Sequence, residues 1–413
     1  MPLSRRDFLG AVAAATALPN VPLHAAESVT HAHAPTQGRP SPAVPGDRFD
    51  PWIEVEPAAI RHNVGVLSRL GGGKPILAVA KNNAYGLGLS VAGPILDAIP
   101  EVSGLAVVKT SEALALREAG VRKPILLMAL SADSDAPELL ARDITFAACT
   151  DDALARLERA SRAAGKAVPT VAIVDTGMNR IGIPYHRAEP WLARLAASNA
   201  TTLRGAMTDL TEDREFDVEQ MRRLRGVADA VAGGRRSVGP LHAASSDAVF
   251  NTPGTALDMI RPGISLYGAY PSNEGRERSI AALRPAVRLR ARVVRVEQLR
   301  AGDSVSYGRS YVAKAPVWLA TVPMGHVDGV PRAAVKGASI LINGRAYPVI
   351  GAVSASHAIV EIGDRASVSV GDIATVIGPD DPAIDPHTLA IKGGISVYDV
   401  LMHLSPALPR YVV

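Results

Sequence analysis

The chain has 413 residues, 47% apolar and 20% charged, which is enough for two domains with packed cores. Its net charge of +4 is small and dispersed, so no nucleic-acid partner is expected. The single cysteine, Cys149, excludes an intrachain disulfide framework and reads as a small core residue.

Taken in order, the chain opens with Ser4-Arg5-Arg6-Asp7-Phe8-Leu9-Gly10 and an apolar run from Ala11 to Leu18. This is the pattern of a twin-arginine export signal. The run is too short and too weakly apolar to span a bilayer, so no stable membrane insertion is expected. Cleavage after Ala26 and after Ala34 are both open, and residues 1–34 are assigned to the signal and cleavage region. Residues 35–47, rich in Pro, His and Ser, read as a solvated linker. The expected location is the periplasm. Twin-arginine export carries folded proteins, which suits an enzyme that must acquire a cytosolic cofactor first.

Trp52–Val55 reads as a strand, and Ile60, Val64, Leu67 and Leu70 give residues 57–70 a helical period. Strands are then expected at 76–80, 104–108, 124–128, 145–149, 171–175, 203–208, 237–243 and 258–266. Helical segments such as Ser111–Ala119, Asp151–Ala164 and Glu215–Ala232 alternate with them. Eight strands alternating with helices predict an α/β fold, a (β/α)8 barrel over residues 48–283. A doubly wound sheet is the alternative, weakened because no Gly-x-Gly-x-x-Gly opens the first helix. From about residue 284 short β-like runs dominate (Val287–Val296, Val317–Val322, Ala338–Ile342, Ala358–Ile362, Ile373–Ile377), separated by turns such as Asn343-Gly344. Residues 284–413 are therefore expected to form a mainly-β domain.

The stretch that organises the rest is Ile76-Leu77-Ala78-Val79-Ala80-Lys81-Asn82-Asn83-Ala84-Tyr85-Gly86. A doubly buried strand runs straight into a lysine, at the carboxyl end where barrels place their chemistry. Desolvation there lowers the amine pKa and makes Lys81 a nucleophile toward carbonyls. From Lys81 alone, a lysine snorkelling from a strand end is the simpler reading. Ala-Val-Ala-Lys-Asn-Asn-Ala-Tyr-Gly resembles the pyridoxal-phosphate lysine motif of the alanine racemase family, and the resemblance runs from about residue 48 to the end.

That resemblance implies that Lys81 carries pyridoxal 5'-phosphate as a Schiff base and that Tyr85 helps to hold its phosphate. Asp175-Thr176-Gly177-Met178-Asn179-Arg180-Ile181-Gly182 is similar to the family's Asp-Thr-Gly-Met-x-Arg-x-Gly, which implies Arg180 beside the cofactor's phenolic oxygen and near substrate. Ser246, Gly263 and Ile264 match phosphate-binding positions, and Arg261 matches the arginine facing the pyridine nitrogen. In the second domain, Val305-Ser306-Tyr307-Gly308 implies Tyr307 as the second catalytic base, reaching the site of a partner subunit in a homodimer with shared active sites.

Several positions depart from the family pattern. Ile173 stands where many members have a carbamylated lysine, so a bound anion or another carboxylate must orient Arg180. Asp209 replaces a histidine, and Ser245 an asparagine. His326 replaces an entrance tyrosine, Ala355 and Ser356 replace Met and Asp in the substrate pocket, and Pro406 stands where a phosphate-contacting tyrosine is common.

The function expected from these residues is racemisation of an amino acid, alanine first, by proton transfer at Cα between Lys81 (D side) and Tyr307 (L side). The reduced bulk at Ala355 and Ser356 extends the expectation to larger substrates. Two alternatives stand beside it: a pyridoxal-phosphate lyase or aldolase on the same barrel, and a catalytically impaired periplasmic protein that binds the cofactor or an amino acid.

Overall fold

A computed structural model describes residues 46–234, 237–335 and 337–413. The expected export signal, its candidate cleavage sites and nearly all of the expected linker lie outside the described residues.

The strand Ile76–Val79 is buried along its whole length, as its run of apolar residues requires. It begins a parallel ring that continues in chain order through Val102–Val107, Ile125–Leu127, Ile144–Ala148, Val168–Asp175, Thr201–Met207 and Leu241–His242. Seven of the expected strand positions are filled, with ends shifted by a few residues. The seventh is cut to two residues, because Gly239-Pro240 before it supply a left-handed glycine and no N–H. The eighth, expected over 258–266, is not a continuous strand. Its segment makes isolated parallel bridges, Met259 to His242 and Ile260 to Ile76. Leu77 N–H donates to Ile260 O and Val79 N–H to Pro262 O, both at 2.9 Å, and these bonds close the ring. Pro262 has no N–H with which to continue the ladder, and Ile264–Tyr267 turns into a 3-10 helix instead.

The helices follow the apolar spacing. Pro57–Leu70 buries Ile60, Val64 and Leu67 with proline in its first turn, and Ala153–Ala164 ends at the left-handed Gly165. Cys149 is free and buried.

The second domain is built on a nine-stranded, largely antiparallel sheet. Trp52–Val55 belongs to this sheet rather than to the barrel. It lies between Val287–Arg292, with which it is antiparallel, and Arg410–Val412, with which it is parallel. Arg345–Ile350 and the small hairpin Ser304–Val305/Tyr311–Val312 add strands that the sequence did not predict. Barrel and β domain form one compact unit with a continuous apolar core. The β domain also returns to the barrel mouth: the helix Val397–Met402 packs on the segment Lys81–Tyr85. Among the described residues no helix is long and apolar enough to cross a membrane.

Candidate active site

A cavity of about 580 Å³ opens at the carboxyl ends of the barrel strands. It is lined by Lys81, Tyr85, Arg180, Ser246, Arg261, Gly263 and Ile264, so every barrel residue singled out in the sequence converges here. Ile173 and Asp209, two of the departures, line the same space.

The backbone that delivers Lys81 is unusual. Asn82, Asn83, Ala84 and Tyr85 all have positive φ, at 54°, 56°, 53° and 52°, and form a left-handed helical turn. For an L-residue this conformation costs roughly 1–2 kcal/mol, least for asparagine. Surrounding contacts hold it. Ala84 N–H donates to Ala80 O at 2.9 Å, Leu89 N–H to Asn83 Oδ1 at 3.0 Å, and Gly86 packs so tightly on Leu401 O that no side chain fits. The turn keeps both Lys81 and Tyr85 on the cavity.

Burial lowers the Lys81 pKa, and the nearby charges of Arg180 and Arg261 push it the same way. Those arginines are joined by one carboxylate. Arg180 Nη2 donates to Asp209 Oδ2 at 2.7 Å, and Arg261 Nη2 to Asp209 Oδ1 at 3.2 Å. Burial alone would raise the Asp209 pKa, but the Arg261 charge and the Arg180 hydrogen bond outweigh it and leave the carboxyl below its ordinary range. Asp209 is thus the carboxylate partner of Arg180, while Ile173 stays apolar and buried. Arg261 Nη2 also donates to Thr208 O at 2.6 Å and Ala243 O at 3.2 Å, but its Nε is buried with no partner. A buried N–H of this kind calls for an acceptor, which a pyridine nitrogen supplies. His242 is buried beside it, and desolvation holds its pKa well below the ordinary value, so the imidazole is neutral.

At the other end of the cavity Ser246 Oγ accepts the N–H of Gly263 at 3.0 Å and of Ser265 at 3.3 Å. A Cβ on residue 263 would overlap the Tyr85 hydroxyl, so only glycine allows this approach. Burial raises the pKa of Tyr85 above its ordinary value and keeps the phenol protonated as a hydrogen-bond donor. The residues present fit a phosphate at this end and a pyridine ring toward Arg261.

Two polar lining residues escaped the sequence reading. Tyr398 comes from the second domain, its ring centroid 6.3 Å from that of Tyr85. The available signal was the capping box Ser396–Asp399, which fixes the start of its helix. Glu212, with φ of 67°, also faces the cavity.

Tyr307 and Ala355 are not among the cavity's lining residues. Tyr307 is 76% exposed, in a turn of the β domain. Ser306 Oγ ties this turn to residue 352, accepting Ala352 N–H and donating to Ala352 O, both at 3.0 Å. Val327 N–H donates to Ala355 O and His326 N–H to Ser354 O, both at 3.1 Å. Tyr307, His326, Ala355 and Ser356 are thus exposed side chains on loops of the β domain joined by these bonds, and none of them lines the cavity.

Residues 55–271 match the family model for the N-terminal domain of alanine racemase, and residues 286–412 the model for its C-terminal domain. An alanine racemase of Desulforamulus reducens is 30% identical over 369 residues, spanning 88% of this chain and 98% of its own. One from Mycolicibacterium smegmatis is 34% identical over 334 residues, 79% of this chain and 85% of that one. Among solved structures, the alanine racemase of Clostridium difficile matches with a TM-score of 0.82 at 26% identity, covering 88% of this chain and 96% of that one. With both domains matched and the lysine, arginine and serine positions converging on one cavity, the chain belongs to the alanine racemase family of pyridoxal-phosphate-dependent isomerases.

Proposed function

We propose that this chain racemises alanine and further amino acids by moving a proton across Cα between Lys81 of one subunit and Tyr307 of a second copy. The observation that carries this reading is the division of the chemistry. One cavity gathers the cofactor-holding groups around Lys81, whereas Tyr307 stands exposed on a different domain with the substrate-pocket residues beside it. Two copies arranged head to tail would bring each Tyr307 surface over the other's Lys81 cavity, a closed homodimer.

Pyridoxal phosphate bound in the cavity withdraws electrons from Cα and makes its proton acidic. Lys81 Nζ would bond its aldehyde. Ser246, Gly263 and Ile264, with Tyr85 and Tyr398, would hold its phosphate. Arg261 would donate Nε–H to the ring nitrogen, and Arg180 would face the phenolic oxygen. Arg261 does not release its proton, so the ring nitrogen stays unprotonated, which disfavours transamination. Lys81, desolvated and flanked by two guanidiniums, exchanges a proton with Cα on one face. Tyr307 Oη does so on the other, and a planar centre served from both faces loses its configuration.

The small side chains of Ala355 and Ser356, with His326 beside them, leave room past the substrate's β-carbon, which supports activity on larger or polar amino acids. Export by the twin-arginine route to the periplasm is part of the same proposal and rests on Arg5-Arg6 and the apolar run after them. Proton exchange at Cα in deuterated water, measured for alanine, serine, lysine and methionine, tests the activity. Exchange with racemisation of alanine and at least one larger substrate is expected. Cleavage products, or cofactor binding with no exchange for any amino acid, would contradict it. Retention in the cytosol of a double Arg5→Lys, Arg6→Lys variant tests export.

A further inference from the structure

One buried carboxylate fastens the left-handed turn after Lys81, and no step above uses it. Glu112 is 6% exposed, at the third position of the helix Thr110–Glu118. Its Oε2 accepts the N–H groups of Val108 and Lys109, both at 3.3 Å. The bond from Lys109 is the return half of a helix cap, which any glutamate at this position makes. The helix does not explain the other oxygen. Oε1 accepts the N–H of Asn82 at 2.6 Å and of Asn83 at 3.3 Å, thirty and twenty-nine residues earlier in the chain.

The left-handed turn needs such an acceptor. The first N–H groups of a helical turn have no carbonyl partner within it. Ala84 N–H reaches back to Ala80 O, and Gly86 N–H to Asn82 O and Asn83 O, but Asn82 and Asn83 N–H have only Glu112. Among the described residues no lysine or arginine forms an ion pair with Glu112; the hydrogen bonds to its carboxylate come from four backbone N–H groups.

We infer that Glu112 is a positioning residue: it holds Asn82 and Asn83 left-handed, and thereby fixes Lys81 and Tyr85 in the cavity relative to Val108, which follows the neighbouring strand and lines the same cavity. This rests on the reading of Lys81 and Tyr85 as cofactor-holding residues. Glutamine at 112 would keep the shape, but its amide N–H groups would face a pair of backbone donors, leaving either the turn or the helix cap without an acceptor.

The test is a two-by-two comparison of Glu112→Gln with Ala84→Gly, read as the dissociation constant for pyridoxal phosphate and the visible circular dichroism of the bound cofactor. Glycine adopts positive φ without steric cost, so Ala84→Gly relaxes the turn without touching the site. Glu112→Gln is expected to weaken cofactor binding about tenfold or more and to change the dichroism. Ala84→Gly should recover at least about threefold of that loss while changing the wild-type constant less than about twofold. An unchanged constant and dichroism in Glu112→Gln would overturn the inference, as would an effect of Ala84→Gly that is the same in both backgrounds. If Glu112→Gln does not fold, amide hydrogen exchange in the wild-type protein decides: Asn82 and Asn83 N–H should be protected like the strand before them, and exchange at exposed-loop rates would overturn it. Failure of the wild-type chain to bind pyridoxal phosphate would instead count against the cofactor reading, and the amide measurement still reports on Glu112.

Discussion

In the proposed reaction the barrel mouth and the exposed face of the β domain carry one half each, and the two are built on opposite terms. Around Lys81 the groups are buried, paired and over-determined: a left-handed turn pinned from several sides, two arginines on one aspartate, a glycine whose Cβ would meet a tyrosine. Around Tyr307 they are exposed and connected by backbone bonds between loops. Cofactor binding and pKa tuning need desolvation and fixed charge, so they sit in a preformed pocket. A surface that, as proposed, a second copy completes stays open in the single chain and can change its side chains without disturbing the cofactor. The departures divide accordingly: Asp209 pairs with Arg180 and Arg261 within the barrel beside the apolar Ile173, whereas His326, Ala355 and Ser356 lie exposed on the β domain.

The largest effects should separate the two halves. Lys81→Ala should lower kcat for alanine roughly ten-thousand-fold or more and abolish the borohydride-fixable cofactor adduct. Tyr307→Phe should lower kcat by about a hundredfold or more while leaving the cofactor dissociation constant unchanged. A parallel loss of cofactor from Tyr307→Phe would erase the distinction.

Next comes specificity, which belongs to the open face. Ala355→Met should reduce kcat/KM for lysine and methionine by about 10–200-fold relative to alanine, the worth of added bulk in an apolar pocket. A wild-type preference for alanine of several orders of magnitude would contradict the open pocket, as would a variant that leaves the larger substrates untouched.

Asp209→Asn acts on the closed half. It removes the charge shared by Arg180 and Arg261, and cofactor affinity should fall about tenfold. Glutamate at 209, which keeps the charge, should fall less. Titration of the purified variants with pyridoxal phosphate measures both.

The smallest effect is on stability. The folded state lowers the Lys81 pKa, so the unfolded chain binds that proton more readily. The penalty is fully present below the folded pKa and vanishes as pH rises past the ordinary lysine value of 10.5. Cofactor-free Lys81→Met should therefore be more stable than the cofactor-free wild type at neutral pH. The gap should close above pH 10.5 in urea unfolding curves.

Much of the closed half was legible in the sequence, because a buried strand ending in lysine and an Asp-Thr-Gly turn ending in arginine state their place at the barrel mouth, and their resemblance to family motifs implied the chemistry. What escaped depended on tertiary contact. The left-handed run Asn82–Tyr85 contains no glycine, so no local preference announced it. Tyr398 lies far down the chain and reaches the cavity only because its helix packs against that turn. Trp52–Val55 read correctly as a strand, but its place in the second domain's sheet is set by partners more than 200 residues away. The eighth barrel strand looked continuous by hydropathy, and Pro262 and Gly263 broke it where the cofactor's phosphate is proposed to lie.

The central claim is that one complete site needs residues from two chains, and subunit mixing tests it most directly. Lys81→Ala and Tyr307→Phe proteins, each inactive and each folded, are to be exchanged by partial unfolding and refolding in equal amounts. In a hybrid dimer one site carries both defects and the other carries neither. The account predicts that alanine racemisation returns to about a quarter of the wild-type rate, the value for random assortment into dimers. Hybrids shown by mass spectrometry to have formed, yet inactive on alanine, would contradict it.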